Sequence, residues 1–178
     1  MVGGHKRKIM PNYILNKLTF YPDFPEDQEQ IDRIKSIILN EQGELDFEMI
    51  IPSPKDLPNP ESEREKRKLR KEGITTSEEW KLNNWGTDKN AVSFKVLSDC
   101  ASWYVITFTT SWKAPLPIVT KLTQLCSFLD SIDYTAVGPI AEVCLHQHWH
   151  RSDNIITNED FKMNPSFSRA LFHALSNH

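Results

Sequence analysis

Apolar and polar positions alternate from Tyr13 to Tyr21 (YILNKLTFY), the pattern of a half-buried strand. Ile14, Leu18 and Phe20 fall on one side, with Tyr13, Lys17 and Thr19 on the other. Asn16 interrupts the apolar row and needs hydrogen-bond partners if it is buried. Pro22 and Pro25 precede a stretch to about Leu39, in which Ile31, Ile34 and Ile38 recur at helical spacing. Beyond it, Phe47 to Ile51 (FEMII) is expected to be a short strand, stopped by Pro52 and Pro54. Pro58 and Pro60 prolong the break. Glu61 to Glu72 mixes acids and bases around a single apolar residue, Leu69, so it reads as a solvated helix face or a mobile loop. Gly73 ends it. Thr76 with Glu79 is spaced as a capping box for a short helix holding Trp80 and Leu82, and Asn84-Trp85-Gly86-Thr87 follows as a turn.

Regular alternation then returns. Val92, Phe94 and Val96 against Ser93 and Lys95 predict one strand. Trp103 to Trp112 predicts a second, with Tyr104, Ile106 and Phe108 opposite Val105, Thr107 and Thr109. Pro115 and Pro117 open a helix with Ile118, Leu122, Leu125 and Phe128. Residues 132–137 and 140–150 form a last hairpin or one long strand kinked at Gly138-Pro139. Ser166 to Leu175 carries Phe167, Leu171 and Ala174 at the spacing of a further helix. The order strand, helix, insertion, strand, strand, helix, strand is that of an α+β, ferredoxin-like split βαβ sandwich, an antiparallel sheet backed by two helices. Residues 10–150 are expected to form this single domain, with an insertion at 41–91. Residues 151–178 read as a C-terminal helical tail docking on it, and residues 1–9 as a tag or disordered extension. The second face of such a sheet is open unless something covers it, and function is expected there.

Composition narrows the classes. The 178 residues are 39% hydrophobic and 25% charged, which is globular rather than disordered. No apolar run reaches the roughly 20 residues of a membrane span. The three cysteines, Cys100, Cys126 and Cys144, have no CxxC spacing and read as reduced thiols of a cytoplasmic protein. The net charge of −3 lacks the basic excess of a general nucleic-acid binder. Nucleic-acid binding would therefore need a local patch, for which Lys66, Arg67, Lys68, Arg70 and Lys71 are the candidates.

Candidate chemistry concentrates in Cys144 to His150 (CLHQHWH). On a strand His146, His148 and His150 share a face with Glu142 and Cys144, opposite Ala141, Val143, Leu145 and Trp149. Alternate histidines sit about 6.6 Å apart, so two imidazoles can converge on a Zn²⁺ ion. Three in a row reach too far for one ion, and a solvated edge strand accounts for the same pattern. Among the tryptophans, Trp85 and Trp112 sit in turn-like motifs beside Gly or Pro and read first as packing residues. Any that are exposed would serve as partner anchors. Tyr13 and Trp103 are phased outward on the open face, where bases stack in RNA-binding domains of this fold, but no segment matches the RNP1 pattern. Nucleophile-elbow, P-loop, dinucleotide and zinc-protease motifs are lacking.

Four segments carry a family resemblance. Met10-Pro11-Asn12-Tyr13 with Asn16, Lys17 and Leu18, then Ile51-Pro52 with Pro54 and Leu57, then Asn84-Trp85-Gly86-Thr87, then Thr109-Thr110-Ser111-Trp112 with Pro115 and Pro117, occur in the order found in the YubB/Api92-like ferredoxin-like domain family of phages and plasmids. The chain departs from that pattern at Asp88-Lys89-Asn90, where a basic–aromatic pair is usual, and at Tyr134 to Gly138, where an acid usually precedes the glycine. The resemblance implies the fold, an origin on mobile elements, and no catalytic residues to transfer. The expected function is a non-enzymatic interaction protein without a cofactor, of the counter-defence (anti-CRISPR-like) kind. It would take a host protein or complex in the host cytoplasm through Tyr13, Trp85, Trp103, Trp112 and His148. A nucleic-acid-binding domain, or a metal-binding protein using His146, His148 and His150, remain the alternatives.

Overall fold

In a computed structural model, residues 12–24, 28–138, 144–151, 155–159 and 170 are described. The elements run β1 (Tyr13–Tyr21), α1 (Gln28–Ile38), α2 (Phe47–Ile50), α3 (Glu63–Lys71), α4 (Ser77–Asn84), β2 (Val92–Cys100), β3 (Trp103–Ser111), α5 (Leu116–Leu125), β4 (Ser131–Val137), β5 (Cys144–His150) and β6 (Ile155–Glu159). The strands form a six-stranded sheet in the order β2-β3-β1-β4-β5-β6, with every neighbouring pair antiparallel. This is a mixed α+β architecture.

The expected phasing of the central strands is observed. Ile14, Leu18 and Phe20 of β1 meet Tyr104, Ile106 and Phe108 of β3 and Ile132, Tyr134 and Ala136 of β4 in one buried cluster. The helical stripe of Ile31, Ile34 and Ile38 and the α5 residues Ile118, Val119 and Leu122 complete it, so both helices lie on the same face. Burying each of these aliphatic side chains contributes about 1.5–3 kcal/mol of transfer free energy. Asn16 lies in the middle of the cluster, wholly buried. Its amide donates to the carbonyls of Ile14 (3.0 Å) and Phe108 (3.4 Å) and to Thr110 Oγ1 (3.0 Å), while Tyr134 OH donates to its Oδ1 (2.7 Å).

Three expectations need correction. FEMII is not a strand: Phe47–Ile50 is a one-turn helix that buries Phe47 and Ile50, three residues apart. The Asp46 carboxylate accepts the Glu48 N–H (2.9 Å), and Asn90 Oδ1 accepts that of Phe47 (2.9 Å), which satisfies the first turn. The alternation from Val92 to Val96 is broken by a register shift between Val92 and Lys95, with Ser93 at φ 56°, and a second shift follows between Val96 and Ser98. Phe94 consequently packs on the core while Val92 and Val96 are exposed at the sheet edge. The region expected to be a helical tail contributes strand β6; of the expected helix at 166–175 only residue 170, which is helical, is among the described residues, and residues 1–9 lie outside them.

The insertion is more ordered than a mobile loop. Ser62 caps α3, and Gly73, at φ +72°, follows its end in the left-handed conformation that glycine adopts without strain. The expected capping box is present, with Thr76 and Glu79 exchanging hydrogen bonds at the start of α4. Among the described residues no helix is long and apolar enough to cross a membrane.

Candidate functional site

The second face of the sheet is less open than the sequence implies. Leu15, Thr19, Thr107, Ser131 and Val137 point to this face and are all buried. Its exposed aromatic residues lie at the rim, Tyr13 at 44% exposure and Trp103 at 46%, from opposite ends of the β1–β3 pair, while Lys17, Val105, Asp133 and Thr135 between them are half-buried. Strand geometry separates them by about 27 Å.

The histidines of β5 share this face, as expected, and each has a partner near β4. His146 Nδ1 is 3.1 Å from Thr135 Oγ1, His148 Nδ1 is 2.6 Å from Asp133 Oδ1, and His150 Nε2 is 3.4 Å from Asp130 Oδ1. Antiparallel register sets these contacts, because Thr135 and Asp133 stand directly opposite His146 and His148. Burial and the Asp133 carboxylate together hold the Tyr21 phenol above its ordinary pKa. The three imidazoles run along the strand instead of converging. Among the described residues no group of three or more His, Cys, Asp or Glu side chains is gathered as a metal ion requires. Residues 141–143, and the side chain of Cys144, are outside the described set. Cys100 and Cys126 are free thiols; burial pushes Cys126 up to about 12, although nearby Arg33 opposes the shift.

The motif tryptophans part company. Trp85 is fully buried, so it is a packing residue and cannot meet a partner. Its indole N–H donates to the Ile51 carbonyl at 2.8 Å, and its ring packs edge-on against Phe47 and Trp80. Trp112 is the opposite case. It is 50% exposed, and its backbone has φ 66°, a region that bulky residues rarely enter. The Lys113 N–H donates to the Ser111 carbonyl at 2.7 Å, closing a three-residue γ-turn with Trp112 at its centre. Its packing role, expected from sequence, is therefore not observed.

The surroundings explain how such a turn persists. The Trp112 N–H donates to the Asn12 carbonyl (2.7 Å), beside Tyr13, which opposes Ser111 in the β1–β3 ladder. Thr110 Oγ1 accepts from buried Asn16 and donates to the Lys113 carbonyl (2.7 Å), so a hydrogen-bond chain runs from Tyr134 through Asn16 and Thr110 to the turn. Thr87 Oγ1 donates to the Ser111 carbonyl (3.2 Å) from the other side. Gly86, at φ +82°, lies so close to Pro117 and the Ala114 carbonyl that a Cβ there would stand 2.9 and 3.1 Å from them. Asn16, Ile51, Trp85 to Thr87 and Thr110 to Pro117 belong to four separate sequence motifs, yet they meet around this one turn. Sequence reasoning found the motifs but not their convergence. The signal that was available is the polar Asn16 in an apolar row.

The charged run of α3 is also rearranged in space. Lys66 pairs with Glu78 and Glu63, and Arg70 with Glu79 (2.9 Å). Both bases therefore face α4 and are largely spoken for. The hydrogen bond to Glu78 raises the Lys66 pKa, and that from the Thr76 backbone, followed by that from Arg70, lowers Glu79.

Fold and site together define a mixed α+β domain with an antiparallel sheet whose end carries a strained, exposed aromatic turn. One solved structure of similar architecture is the crystal structure of protein api92 from Yersinia pseudotuberculosis, of the family model DUF1281. It matches at a TM-score of 0.50 and 8% sequence identity, over 88% of this chain and 100% of that one. At that identity the likeness is one of fold. No family model matches the chain, and no curated protein does.

Proposed function

We propose that this chain is a non-enzymatic interaction protein that captures a host protein or complex through the Trp112 turn and the adjoining Tyr13, with Trp103 at the far end of the same sheet face and His148 on β5, opposite Asp133. The carrying observation is the half-exposed Trp112 at positive φ, held there by a buried hydrogen-bond chain. A non-glycine residue in that region costs on the order of 1–3 kcal/mol and persists only where its surroundings over-determine it. A fold that spends this much to present a Trp to solvent has a use for it, and Trp and Tyr are the residues most often found as interface anchors.

The finer reading of the fold as ferredoxin-like is supported by the β2-β3-β1-β4 order with α1 and α5 on one face, β5 and β6 extending the sheet beyond β4. Membership of the Api92-like family, with its phage or plasmid origin and counter-defence role in the host cytoplasm, rests on the four motifs and on the likeness of fold to api92.

Affinity capture from host lysate with the Trp112→Gly and Tyr13→Ala variants tests the proposal. Glycine accepts φ 66° without strain, so Trp112→Gly is expected to fold at least as stably as wild type. It should nevertheless lose the captured partner, whereas wild type retains it after nuclease treatment. Undiminished capture by both variants would remove the turn as the binding site.

A further inference from the structure

Helix α3 sorts its charges by face. At 3.6 residues per turn, Lys66 and Arg70 fall on the side that meets α4, where Glu78 and Glu79 neutralise them. Arg64, Arg67, Lys68 and Lys71 fall within about 100° of arc on the outward side. All four are exposed. Arg64, Arg67 and Lys71 form no ion pair among the described residues, and Lys68 has only a distant partner, Glu72 at 4.0 Å. The helix has no buried residue, so the stripe stands clear of the core. It runs about 10 Å along the axis, with cations roughly 5–6 Å apart.

From this geometry we infer that the outward stripe of α3, Arg64, Arg67, Lys68 and Lys71, is a docking surface for the phosphate backbone of a nucleic acid. Four uninterrupted cations match a continuous row of phosphates, and guanidinium groups grip phosphate oxygens in a bidentate fork. A protein partner would instead require an apolar or aromatic anchor, and the stripe has none; Leu69 lies off it. The overall charge of −3 opposes association with a polyanion anywhere else on the surface, so attraction must be local. The assignment differs from the sequence expectation at three positions, since Lys66 and Arg70 leave the set and Arg64 joins it. It goes beyond the Trp112 reading and does not depend on it.

The test is a salt titration of binding to a short fluorescent DNA duplex of mixed sequence. Contacts with four phosphates give a slope of log K against log salt of about −3 to −4, roughly a hundredfold loss between about 50 and 200 mM salt. The quadruple variant Arg64→Gln, Arg67→Gln, Lys68→Gln, Lys71→Gln is expected to bind more than tenfold more weakly at low salt, with a slope near zero. Neutralising four exposed bases elsewhere, Lys55, Lys89, Lys95 and Lys113, makes the same change in net charge and should leave the slope in place. Circular dichroism of both variants checks that the fold is intact. The inference is overturned if wild type fails to bind duplex at low salt, or if both quadruple variants weaken binding equally. It is also overturned if stripe-dependent binding is seen with polyglutamate but not with DNA, which would make the partner an acidic protein.

Discussion

Asn16 is buried among aliphatic and aromatic side chains, and its amide and carbonyl groups are both engaged. Tyr134 OH is the side-chain donor to its Oδ1, at 2.7 Å, so Tyr134→Phe strands a buried acceptor while leaving the packing nearly unchanged. Urea unfolding should register a loss of about 1–3 kcal/mol. A loss below about 0.5 kcal/mol would mean that the network is not fixed by this bond. Burial alone also raises the Tyr134 phenol well above its ordinary pKa. A raised folded value means the stabilisation is complete below the unfolded value of about 10 and falls away as pH climbs past it. Wild type should therefore lose more stability than Tyr134→Phe in alkaline melts. The contribution of Tyr104, pushed up to about 12 chiefly by burial, stays in both.

The most informative element is α2, where the local pattern points to a strand and the chain forms a helical turn. FEMII is four apolar residues around a glutamate, and a run that short fits a strand or a helical turn equally well. The helix wins because tertiary partners close its first turn. Asp46 accepts from Glu48, and Asn90, a position 43 residues beyond Phe47 in the chain, supplies an oxygen to Phe47 and an amide to Asp46 (2.7 Å). Asn90 thus serves structure, joining α2 to the segment that leads into β2. Asp46→Ala should destabilise the protein by about 1–2 kcal/mol, and Asp46→Asn, which retains a capping oxygen, by clearly less. Equal losses measured by chemical denaturation would rule out the cap as the cause. By contrast, the α4 start was legible, since a capping box is a local motif whose partners are three residues apart.

Across the whole molecule, the Trp112 turn and the α3 stripe belong to different elements with no contact between their residues in the hydrogen-bond and ion-pair networks of the described chain. Distant sites act additively. Trp112→Gly should leave the salt slope for duplex unchanged, and the α3 quadruple variant should leave nuclease-resistant capture unchanged. A double variant that shows more than the sum of the two losses would mean that both surfaces serve one partner. What the sequence determined by itself was local or periodic. The phasing of the central strands, the isoleucine stripe of α1, the capping box of α4 and the need of Asn16 for partners follow from period-two and period-3.6 patterning, from a motif three residues long and from the cost of burying an amide. Only the tertiary structure decided which tryptophan is buried and which exposed, since Trp85 and Trp112 sit in similar turn motifs and differ in what surrounds them. The same holds for which bases of α3 are free, because α4 chooses them, and for β5, where register gives each histidine a separate partner. Pattern along a chain specifies which way a residue faces its own element; what lies opposite is a matter of packing between elements far apart in sequence.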